Sequence, residues 1–141
     1  MHRSGFPTLL AVAIVIVTTA CGSSSSTPTI PTTPLNPITE TFAGTLNLNG
    51  AATYPFTVTT PGTITATLTT VGPDPTVSLG LSIGTWSGTT CSVGSGLFQD
   101  QAVQGAVVVA TVSAAGTLCL RVYDSGTLTA PATYSVDVVH P

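Results

Sequence analysis

The sequence predicts an all-β domain, an antiparallel sandwich of about seven to eight strands over residues 38 to 141. Apolar residues alternate with threonine and serine through most of that span, the period of two expected of half-buried strands. Short turn pairs, Asn49-Gly50, Pro61-Gly62 and Ala115-Gly116, divide the alternating runs. No stretch carries a helical period, so crossover helices are unavailable and a parallel sheet is disfavoured.

Taken in order, an opening strand is expected near Thr41 to Leu48, although its alternation is irregular. Asn49-Gly50 tolerates positive φ at both positions and is expected to close a first hairpin. Thr53 to Thr59 then places Tyr54, Phe56 and Val58 on one face. Pro55 has no N–H to donate, so that strand should lie at an edge or carry a bulge. Pro61-Gly62 fits the centre of a type II turn. Thr63 to Thr69 puts Ile64, Ala66 and Leu68 on one face, with threonines on the other. Thr76 to Ile83 places Val77, Leu79, Leu81 and Ile83 on one face. The stretch AVVVATV, Ala106 to Val112, is apolar on both faces and reads as a central strand. Leu118 to Val122 and Thr133 to Val138 complete the set. The expected core includes Phe56, Leu79, Leu81, Leu120 and Val136, with Thr57, Thr65 and Thr67 turned to solvent.

Only 5% of the 141 residues are charged, against about 25% in ordinary soluble domains. Beyond residue 20 the sole Lys or Arg is Arg121, facing Glu40, Asp74, Asp100, Asp124 and Asp137. One cation cannot displace the counterions of a phosphate backbone, so nucleic acid is excluded as a partner. Threonine and serine supply the polar surface instead, and threonine's branched Cβ suits extended backbone.

Residues 1–20 have the parts of a secretory signal: Arg3 near the start, the apolar run LLAVAIVIV, and small residues before Cys21. Nine helical residues rise only about 14 Å, too short for a hydrocarbon core of about 30 Å. Thr-Thr-Ala-Cys-Gly resembles the lipobox of bacterial lipoproteins, in which the cysteine receives diacylglycerol. Thr18 stands where a leucine is usual, and ordinary signal-peptidase cleavage would also accept Thr18 and Ala20. Cysteine counting favours lipid. Exported cysteines tend to pair, and a lipidated Cys21 leaves Cys91 and Cys119 as one disulfide. Localisation is therefore expected to be exported, lipid-anchored to the cell membrane or outer membrane. Residues 22–37 read GSSSSTPTIPTTPLNP. With Cys21 they form an extended, proline-punctuated tether able to reach roughly 50 Å at ~3.1 Å per residue.

The run GTLCLRVYDSG (Gly116 to Gly126), followed by TYSVDV (Thr133 to Val138), resembles the end of bacterial pre-peptidase C-terminal domains. In those, a glycine leads into an alternating strand and a tyrosine opens the last one. FAGTLNLNGAATYPFTV (Phe42 to Val58), followed by PGTITATLT, is similar to the family's opening hairpin and third strand. The resemblance implies a jelly-roll-like β-sandwich, accessory rather than catalytic. The chain departs from the family in having no peptidase domain, in Leu118 where an aromatic is common, and in having few of the family's acidic loop residues.

Candidate sites are few. His140, the sole histidine beyond residue 20, lies next to the terminus, where chains fray. No positioned base is therefore expected for a nucleophilic triad. Asp124-Ser125-Gly126 occurs once, whereas an aspartic peptidase needs two carboxylates sharing a proton, and it serves equally as a turn. Cys91 and Cys119 lack zinc-binding partners, and Asp74, Asp100 and Asp124 lie in separate turns. No cofactor or metal is expected. Trp86 and Tyr123 are the candidate ligand-binding residues, because sugar-binding sandwiches stack exposed rings on sugar faces. The alternative is that Trp86 plugs an end of the sandwich while Tyr123 covers its outer sheet. The expectation is a non-enzymatic, membrane-anchored envelope domain with a structural, adhesive or accessory-binding role, its partner an envelope protein or glycan. A carbohydrate-binding lipoprotein is the alternative.

Overall fold

The computed structural model describes residues 36–141. The signal, Cys21 and almost all of the tether lie outside the described residues. Eight strands follow: β1 (Ile38–Leu46), β2 (Ala51–Val58), β3 (Gly62–Gly72), β4 (Leu79–Trp86), β5 (Cys91–Ala102), β6 (Val107–Val112), β7 (Gly116–Tyr123) and β8 (Ala132–His140). They pair antiparallel in two four-stranded sheets, ordered β1-β8-β3-β6 and β2-β7-β4-β5. Most links pass from one sheet to the other, and only β4 and β5 are consecutive strands that pair directly. This is a jelly-roll-like β-sandwich.

Its core forms where the alternation predicts. Phe56, Leu79, Leu81, Leu120 and Val136 are all buried between the sheets, with Ile64, Ala66, Leu68, Tyr134 and Val138. Thr57 is exposed, whereas Thr65 and Thr67 are half-buried because β3 has neighbours on both sides. Pro55 sits in β2, an edge strand, where its missing N–H interrupts no ladder on the open side.

Five features differ from the sequence reading, each for a local reason. Asn49-Gly50 closes no hairpin, because β1 pairs with β8 and β2 with β7. The turn is instead a corner between sheets, closed by Gly50 N–H to Asn47 O at 2.9 Å, with Asn49 alone at positive φ. Gly62 does not take the positive φ of a type II turn; it opens β3, opposite Val112. The fourth strand begins at Leu79 rather than Thr76. Asp74 Oδ1 holds both the amide and the hydroxyl of Thr76, at 2.9 and 2.7 Å, in a local turn.

The AVVVATV segment is an edge strand, not a central one: β6 pairs only with β3, leaving Val107 39% and Val109 52% exposed. Valine's preference for pleated backbone suffices to place it there. Finally, β5 has no counterpart among the expected strands, since Gly94, Ser95 and Gly96 resemble a turn. These residues form an irregularity within the strand, where the β4–β5 register jumps between Ser82↔Phe98 and Gly84↔Val93.

Candidate functional site

The outer face of the β2-β7-β4-β5 sheet is shaped by three small residues on alternate positions of β4. Leu79, Leu81 and Ile83 enter the core, so Gly80, Ser82 and Gly84 face outwards. On β7 the outward residues opposite them are Tyr123, Arg121 and Cys119.

At Gly84 the missing side chain makes room for a covalent crossing. Cys119 is joined to Cys91, with 5.8 Å between Cα atoms. A Cβ on Gly84 would lie 2.5 Å from Ser92 O and 3.0 Å from the Cys91 sulfur. The disulfide thus passes over the outside of β4 from β7 to β5, as Cys119's alternation with Leu118 and Leu120 predicts. Cys91 is the first residue of β5. At Gly80 the Tyr123 ring does the same, lying where a Cβ would come within 2.2 Å of its carbons.

Between these two crossings lies a groove of about 470 Å³ lined by Ser82, Val93, Phe98, Asp100, Arg121 and Tyr123, with Gly94 and Ser95 at its rim. Ser82 forms part of the lining; its side-chain oxygen is buried and has no hydrogen-bond partner among the described residues. Phe98, opposite Ser82 in the register, is 47% exposed. The Tyr123 hydroxyl donates to Asp100 Oδ1. Partial burial, then the carboxylate beside it, push the phenol up to about 12. The Arg121 guanidinium lies 4.9 Å from the centre of the Tyr123 ring, a cation–π distance.

The two candidate aromatics are not brought together. Tyr123 stands opposite Gly80, while Trp86 ends the same strand, about 20 Å away at ~3.3 Å per residue. Trp86 lines a separate depression beside Ala114, Ala115 and Gly116. Tyr123's ring rests on Gly80, so the accessible ring of the groove is Phe98. The sequence does not single that residue out, because β5 is not marked by regular alternation. A hint was present: leaving the span from Gly84 to Gly105 without an element implies a connection longer than compact domains usually tolerate. A second hollow of about 320 Å³ opens between the sheets near β5 and β6, lined by Ile83, Leu97, Ala110, Val112 and Leu118. It is a gap in the core at the free edges and has few polar groups to orient a ligand.

His140 does not fray. It closes β8 opposite Ile38, is 2% exposed, and packs against the Phe56 ring at 5.4 Å. Its Nε2 lies 2.9 Å from Glu40 Oε1. This imidazole belongs to the other sheet, away from the groove.

Asp124 is a structural carboxylate. Oδ1 accepts the amides of Gly126, Thr127 and Leu128, and Oδ2 accepts that of Asn49 at 2.8 Å. The β1–β2 corner and the β7–β8 loop are tied through it. The Asn49 amide, followed by those of its own loop, holds the carboxyl below the usual carboxylate range. A group whose folded pKa is depressed stabilises the fold above its unfolded pKa of about 3.9 and loses that contribution as pH falls through the folded value. Asp124→Ala is expected to lower the urea midpoint at pH 7 and to flatten the fall in stability below about pH 4. Midpoints measured from pH 7 to pH 2 check it; an unchanged profile would show that the carboxylate does not tie the loops.

No family model matches the chain, and no curated protein matches it.

Proposed function

We propose that the chain is a lipid-anchored, non-enzymatic envelope domain, related to the pre-peptidase C-terminal domains, that works as an accessory binding module. The lipid on Cys21 holds it to a membrane, the Ser/Thr/Pro tether sets it at a distance, and the sandwich offers its outer sheet to a partner. The observation that carries the binding role is the groove between the disulfide and Tyr123. It combines an exposed ring, a cation, a carboxylate and an unpartnered hydroxyl on a face that the core does not use. Convergent polar groups beside an apolar surface are the usual make-up of a ligand site.

Anchoring is tested on the native protein. Mass spectrometry is expected to find Cys21 as an acylated N-terminus, with the protein in the membrane fraction. Cys21→Ser should release the chain or block its processing while circular dichroism stays that of a folded β protein. An unmodified N-terminus at any other position would end the lipoprotein reading.

A further inference from the structure

Resting on that binding role, we propose that the groove on the β2-β7-β4-β5 sheet is a saccharide subsite in which Phe98 stacks on a sugar ring while Ser82, Arg121 and Asp100 bond its hydroxyls. Sugar rings present an apolar C–H face and a rim of hydroxyls that both donate and accept. The groove offers the matching set within one sheet face.

Phe98 supplies an exposed ring, and its register partner Ser82 is a hydroxyl without a partner. A buried polar group left unpaired is costly, and a ligand hydroxyl reaching Ser82 would satisfy it. Arg121 forms no salt bridge among the described residues, the one there being His140–Glu40, so its guanidinium remains a donor. Asp100 Oδ1 is taken by Tyr123, which leaves Oδ2 as an acceptor.

The charges select among ligands. Arg121 and Asp100 line the same groove and offset one another, which disfavours an anion held by charge alone. A neutral polyhydroxyl ligand meets no such opposition. Tyr123 is a positioning residue here. Pinned on Gly80, it fixes Asp100 through its hydroxyl and Arg121 through its ring.

The test uses the full mature protein, extracted in a non-glycosidic detergent and applied to an array of neutral hexose and N-acetylhexosamine oligosaccharides and acidic counterparts. The best binder is then titrated calorimetrically. Binding is expected for neutral members and to persist in 0.5 M salt. Phe98→Ala should weaken it about tenfold, Ser82→Ala about fivefold, and Phe98→Trp should retain it. Phe98 is exposed, so its replacement leaves the fold intact, and an unchanged melting curve checks that. No oligosaccharide binding, binding indifferent to Phe98→Ala, or binding to acidic members alone that salt abolishes would each overturn the subsite. An acylated Cys21 alongside a silent array removes the saccharide and leaves the anchored domain standing; a Phe98-dependent peptide ligand would remove the saccharide and keep the groove as a binding site.

Discussion

Leu120→Ala is expected to cost about 2–5 kcal/mol of unfolding free energy, while Thr67→Ala costs under about 1. Leu120 lies in β7 between β2 and β4, is fully buried, and stands opposite Tyr54 on one side and Ile83 on the other. Truncation would remove its transfer energy and leave a cavity that two flanking strands can only partly close. Thr67 lies in β3, one of the other sheet's two central strands, with its side chain on the outer face, so its loss opens no cavity. Urea denaturation of the two variants decides the matter, and equal costs would mean that the strand faces are misassigned.

Removing the Cys91–Cys119 bridge is the other large effect. The two residues are 28 apart in sequence, for which loop entropy gives about 3.5 kcal/mol. Cys91→Ala combined with Cys119→Ala is expected to lose much of that, measured as a fall in urea midpoint against the oxidised parent. The same loss should appear when the parent is unfolded under reducing conditions. Both losses follow from constraint on the unfolded chain, so the double variant itself should respond little to reductant. A parent equally stable with and without reductant would exclude the bridge as a stabilising link. The groove should suffer as well, because the bridge ties the start of β5 across β4 to β7.

Strands with regular alternation were legible in the sequence, because their periodicity and their burial have one physical origin. Ile64, Ala66 and Leu68 are an example, as are Tyr134, Val136 and Val138. Pairing was not legible to the same extent. Asn49-Gly50 marks a corner correctly, yet turn chemistry reports only the local backbone, not whether the chain continues into the same sheet. The valines of β6 announce a strand but not its rank in the sheet, since β propensity does not register how many neighbours a strand has. The end of the chain misled in the opposite direction: His140 is held by packing and by Glu40, neither of which adjacency to a terminus reveals. The groove was least visible. Its glycines are informative only once β4 and β7 are in register, and Phe98 lies in a strand whose parity the Gly94–Leu97 irregularity breaks. LGLSIG did carry a usable sign: large residues on one parity and only small ones on the other mean that something must lie across the small face.

That segregation on β4 has a consequence for how such a protein can change over generations. Residues 79, 81 and 83 answer to folding, and residues 80, 82 and 84 answer to whatever rests on the outside. Substitution at Phe98, exposed across from Ser82, can therefore reshape that outer face while the interior stays as it is. Gly80 and Gly84 lack that freedom, since a methyl group at either would strike the tyrosine ring or the β5 backbone. The outer face is thus divided into a fixed frame of two glycines and a centre that is free of that constraint.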